Sequence, residues 1–107
     1  MKPFRKRTKK IMVNGFQFHC VIDEHFRNKY VSFRVYPYNT KTSFFEVHFS
    51  WEGTWFFNLN LPSICSTLIM YVIQNGWEYT QEKKQLVIEN GDFLIKELAL
   101  EEKSDNR

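Results

Sequence analysis

Residues 30–77 read YVSFRVYPYNTKTSFFEVHFSWEGTWFFNLNLPSICSTLIMYVIQNGW, and a change of hydrophobic period inside this stretch decides the fold. Up to Leu59 the apolar residues recur at every second position: Phe33 and Val35, then Phe45, Val47, Phe49 and Trp51, then Trp55, Phe57 and Leu59. That is the period of a half-buried strand, whose alternate side chains face the core. From Leu61 the period becomes helical. Ile64, Cys65, Leu68, Ile69, Val72 and Ile73 form a stripe at helical spacing, Pro62 suits the first helical turn, and Gly76 suits the left-handed position beyond the last. The stretch predicts strands over 29–36, 42–51 and 54–60, joined by short connections that make neighbours antiparallel, then a helix over 62–75 that covers the sheet. Met70 and Tyr71 leave this helix a thin polar face, so burial over most of its circumference is expected.

Working outward, Asn14-Gly15 between Ile11-Met12-Val13 and Phe16–Ile22 is a strong hairpin signal, because both residues tolerate the positive φ of a type I′ turn. The first strand is expected to start near Lys10, and Pro37-Tyr38-Asn39 to end the third. Beyond Trp77 a short strand to Thr80, a charged turn at 81–84 and a strand over 85–89 are expected. Phe93–Leu100 then reads as a short helix, with a hairpin at Asn90-Gly91 as the alternative. The predicted class is α+β: an antiparallel meander of five to seven strands with one main helix on one face and a short C-terminal helix. Residues 1–10 read as a basic flexible arm, 11–100 as one domain and 101–107 as a disordered tail.

Apolar residues make up 43% of the 107 and aromatic residues 18%, enough for one core and too little chain for a second domain. The net charge of +3 conceals a division, because Lys2, Arg5, Lys6, Arg7, Lys9 and Lys10 carry six positive charges and the remainder is left at −3. Attraction to phosphate or anionic lipid would therefore start at the N-terminal end. Cys20 and Cys65 fall in apolar patterns with no secretory signal before them, which predicts reduced, buried thiols in a cytoplasmic protein. Nothing approaches the ~20 apolar residues of a membrane span.

No nucleophile on a Gly-flanked turn, no glycine-rich phosphate loop and no paired His or Cys spacing is visible, so neither an enzyme nor a cofactor or metal is expected. Asp23-Glu24-His25 is the densest acid/base cluster, in a segment that reads as a polar connection; a small hydrolase using His25 or His48 is the weakest reading. The sheet face opposite the helix is the better candidate. Tyr30, Arg34 and Tyr36, His48 on the next strand, Phe56 beyond, and Glu46 and His19 nearby are expected to point the same way. Aromatic and Arg side chains carry much of the energy of interfaces, so the expected function is a non-enzymatic interaction module that binds a protein partner or a second copy. The competing reading of these residues is ordinary cross-strand pairing. Rings also stack on unpaired bases, which makes single-stranded nucleic acid the alternative, held by Arg5, Lys6, Arg7, Lys9 and Lys10 together with the face. The layout of a basic arm, a meander and one helix resembles that of coactivator-type single-stranded-DNA binders.

From Trp51 onward the order of a Trp-containing strand, Asn60-Leu61-Pro62 opening a helix, Ile69–Ile73 in its middle, Gly76-Trp77 after it and a Leu86-Val87-Ile88 strand is similar to small bacterial proteins of uncharacterised function. The resemblance covers about half the chain and implies a bacterial, cytoplasmic origin. It carries over no catalytic or binding residue.

Overall fold

The Asn14-Gly15 turn sets the architecture in motion: φ is 53° at Asn14 and 80° at Gly15, and Val13 lies opposite Phe16 across the hairpin. A computed structural model describes residues 6–25, 27–40 and 42–105. Strands β1 (Lys6–Val13), β2 (Phe16–His25), β3 (Tyr30–Pro37) and β4 (Phe44–Ser50) form an antiparallel meander. Helix α1 (Pro62–Gln74) follows, and β5 (Gln85–Ile88) then joins the far side of β4 in parallel. The class is α+β, with a five-stranded mixed sheet in the order β1-β2-β3-β4-β5.

Alternation does what it predicted in the meander. Phe18, Cys20 and Ile22 of β2, Phe33 and Val35 of β3, and Phe45, Val47 and Phe49 of β4 are buried on one side of the sheet. Ile64, Cys65, Leu68, Ile69 and Val72 of α1 enclose the same core, and Met70, Tyr71 and Ile73 are packed against it. The helix starts with Pro62 in its first turn and ends at Gly76, where φ is +103°. There the Gly76 N–H donates to Ile73 O and the Trp77 N–H to Val72 O at 2.9 Å, the paired bonds of a Schellman cap.

Four expectations are corrected. The predicted strand over 54–60 is absent: Gly53–Trp55 is a 3-10 turn, followed by further turns. Its backbone finds partners nearby, since the Thr54 N–H donates to Trp51 O, the Phe56 N–H to Gly53 O and the Asn60 N–H to the Asn58 side chain. Phe57 and Leu59 still reach the core from this loop. The predicted strand from Trp77 to Thr80 is also a turn, stitched by Tyr79 N–H to Trp77 O. The indole of Trp77 instead plugs the core between Phe18 and Phe45, with its N–H on Lys84 O. Third, β5 is parallel to β4 and not antiparallel, because α1 carries the chain back across the sheet before β5 begins.

Fourth, both ends are more ordered than their composition suggests. Lys6–Lys10, expected in the arm, are paired in β1, because β2 runs from Phe16 to His25 and offers each a partner, Lys6 opposite Asp23 and Lys10 opposite His19. Phe93–Leu100, expected as one helix, is divided between α2 (Phe93–Glu97) and α3 (Leu100–Asp105) at Ala99, where φ is 52°. Buried Leu94 and Leu100 anchor these turns, so the helix runs through residues expected to be disordered.

Candidate functional site

Strand parity places Tyr30, Ser32, Arg34 and Tyr36 of β3, Phe44, Glu46 and His48 of β4, and His19 and His25 of β2 on the sheet side opposite the core. Among the described residues these side chains are half-buried or exposed, except Ser32, which is 5% exposed at the centre. An antiparallel sheet tolerates such a solvated face because its backbone polar groups are already paired in the ladders.

The face is internally connected. The Tyr30 ring is stacked between two imidazoles, 4.3 Å from His25 and 4.5 Å from His48 by ring centroid. His48 Nε2 donates to Glu46 Oε2, and Arg34 Nε donates to Glu46 Oε1 at 2.5 Å. Arg34 Nη1 also donates to the Tyr36 hydroxyl at 3.0 Å, and the guanidinium lies 4.1 Å over the Phe44 ring. Burial opposes the charge on Glu46, but the hydrogen bonds from His48 and Arg34 outweigh it and hold the carboxyl below its ordinary value. Burial likewise opposes the charge on Arg34, and the bonds to Tyr36 and Glu46 reverse the balance and raise it.

Of the residues singled out in the sequence, Tyr30, Arg34, Tyr36 and His48 are brought together on this face. Phe56 is not. The loop that replaced the expected strand leaves its ring 57% exposed beside a groove of about 570 Å³ near Ser50, Glu52, Asp92 and Lys96. The basic residues divide as well: Lys6 and Arg7 pair with Asp23 and Ile22 in β1, and Arg5 lies outside the described residues. Lys9 stands opposite Cys20 and its Nζ donates to Asn60 O, which ties β1 to the loop before α1. Lys10 stands opposite His19 and is exposed on the outer side. Phe44 and His25 were missed as members of the network, although their odd-even position relative to Phe45 and Ile22 was the signal for them.

His25 Nε2 lies 3.0 Å from Ser32 Oγ, a pairing that could suggest a base and a nucleophile. The Ser32 hydroxyl also reaches the Asp23 carbonyl at 3.4 Å, so its one proton has two acceptors within range, and the imidazole tautomer sets which of them it faces. The pair fixes the His25 ring under Tyr30. Cys20 and Cys65 are free and fully buried where β2 meets α1. The hydrogen bond to Cys65, together with burial, pushes the Cys20 thiol up.

One corner of the face is recessed. Lys10, Gln17, His19, Tyr36, Pro37 and Tyr38 line a cavity of about 270 Å³ across β1, β2 and the end of β3. Among the described residues no group of three His, Cys, Asp or Glu converges as a metal site, and no helix is long and apolar enough to cross a membrane. No family model, curated protein or solved structure matches this chain, so the reading of the face rests on its own geometry.

Proposed function

We propose that the chain is a small, non-enzymatic interaction module that docks a protein surface, a second copy included, on the outer face of its sheet. One observation carries this reading: Arg34 and Glu46 neutralise each other on the face, with His48 hydrogen-bonded to the same carboxylate, among the rings of Tyr30, Tyr36 and Phe44. Burying an ion pair already satisfied within one partner avoids much of the cost of desolvating lone charges. Rings and a guanidinium held rigidly lose little entropy when covered. The face has both signs of charge and so can complement a copy of itself.

Single-stranded nucleic acid is the second reading, favoured by the position of the basic run. Lys6–Lys10 form the edge strand of this same sheet, with Lys10 next to His19 and Tyr36 in register. One experiment separates the two readings: light-scattering mass of the wild type and of Tyr30→Ser, each at low and moderate salt, alone and with a mixed single-stranded oligonucleotide. A dimer insensitive to salt, reduced to a folded monomer by Tyr30→Ser, supports protein docking by self-association. A monomer whose mass rises with the oligonucleotide only at low salt overturns it in favour of nucleic acid.

A further inference from the structure

The corner recess differs in kind from the centre of the face. At the centre Arg34, Glu46, His48, His25 and Ser32 are engaged by their neighbours; at the corner, among the described residues, Lys10, Gln17 and His19 have no side-chain partner. Lys10 is opposite His19 in the β1–β2 ladder and His19 is opposite Tyr36 in the β2–β3 ladder, so an ammonium, an imidazole and a phenol ring stand in one row. At the usual strand spacing that row is about 10 Å long.

Tyr36 is fixed through its hydroxyl, which accepts from Arg34, and Tyr38 is tied to β2 by its backbone N–H on Gln17 O at 2.9 Å. Tyr38 is 55% exposed, with Pro37 at its base. Among the described residues no carboxylate lines the cavity, and Glu46 is occupied by Arg34 and His48. A volume of about 270 Å³ lies just under the range for drug-sized ligands. It suits one ring system with one charged group.

The donor set selects the ligand. Lys10 offers three N–H donors and no acceptor, and Gln17 and His19 can donate beside it, which calls for an anion rich in acceptor oxygens. Two phenol rings at the other end of the row call for a flat π-system. We propose that this recess binds a nucleotide, with the base against Tyr36 and Tyr38 and the phosphate against Lys10 and His19. The site is at the rim of the sheet and shares His19 and Tyr36 with the outer face, while Lys10, Gln17 and Tyr38 belong to the recess alone. The nucleotide can be free or one unit of a single strand.

The test is an NMR titration of the ¹⁵N-labelled full chain with AMP, with inorganic phosphate and with a three-residue single-stranded oligonucleotide. AMP should give saturable shifts centred on Lys10, Gln17, His19, Tyr36 and Tyr38. Tyr38→Ala should weaken binding about tenfold through lost stacking, and Lys10→Gln about fivefold with a flatter salt dependence. Both positions are exposed, so the unliganded spectra of the variants should otherwise superpose on the wild type. Stronger binding of the oligonucleotide assigns the nucleotide to a strand, and equal binding assigns a free nucleotide; both uphold the site. Shifts reproduced in full by phosphate alone overturn the base contact. A dissociation constant above about 10 mM, or variants that bind as tightly as the wild type, overturn the site. Light-scattering mass, read on the same samples without ligand, reports the docking reading separately.

Discussion

Replacing Glu46 by Gln removes the one carboxylate that Arg34 and His48 share, while conserving shape. A hydrogen bond to a charged group contributes about 1.5–3 kcal/mol net when sheltered, and an exposed ion pair under about 1 kcal/mol. The Arg34 side chain is 37% exposed and keeps its contacts with Tyr36 and Phe44, so its share belongs at the lower end. His48 at 19% and Glu46 at 14% are more sheltered, but the amide oxygen of Gln can still accept one bond. The expected loss is about 1–2 kcal/mol at pH 7, a fall of about 1 M in the urea midpoint at an ordinary slope. The carboxyl of Glu46 is held below its ordinary value near 4.5, so its contribution is complete above that value and is lost as pH falls through the lower, folded one. The gap between wild type and Glu46→Gln should be full at pH 7, still nearly full at pH 5, and closing by pH 3. Urea unfolding followed by tryptophan fluorescence at these three values measures it. An equal gap at pH 7 and pH 3, or no gap at pH 7, refutes the electrostatic account of the network.

Gly91→Ala tests the close approach of the C-terminal segment to β4: a methyl there would lie 2.2 Å from Val47 Cγ2, beside the 2.8 Å bond from the Gly91 N–H to His48 O. It should cost about 2–3 kcal/mol and lower the melting temperature by about 10 °C or more, whereas Gly15→Ala, with open space but φ at +80°, should cost only about 1 kcal/mol by calorimetry. Cys20 and Cys65 should resist a thiol reagent at pH 8 until the domain opens, since both are fully buried; labelling by mass spectrometry that outruns global unfolding contradicts the position of this pair.

Where a residue type can do only one thing, the sequence was legible. Asn14-Gly15 tolerates a backbone few other pairs adopt, and it makes the turn it announces. Pro62 and Gly76 bracket α1 for the same reason. Alternation was less decisive, because Phe57 and Leu59 bury equally well from a loop as from a strand, and the loop carried Phe56 away from the face. Strand direction is not written in alternation at all: Leu86 and Ile88 would face the core in either orientation, and the path through α1 makes β5 parallel. The Tyr30, Arg34, Tyr36 and His48 set came from parity alone, whereas the pairing of Arg34 with Phe44 needed the register between β3 and β4.

The basic run shows why composition misled at the N-terminal end. Lys and Arg in sequence read as a solvated arm because they bury little apolar area, but a strand also forms when a longer neighbour offers it a ladder, and β2 does. Among the described residues β1 is the sheet's edge, with no strand paired along its outer side, and positive charge on an edge opposes pairing with another chain. Basic residues on an edge strand are expected for that reason alone, whether or not phosphate is ever bound. The consequence is practical: deleting residues 1–10 removes most of a strand and the Lys9–Asn60 tie, so any loss of nucleic-acid binding in such a truncation would be uninterpretable. Neutralising Lys10 alone leaves the ladder intact and changes only the charge beside His19 and Tyr36, which makes that substitution the sharper probe of both readings.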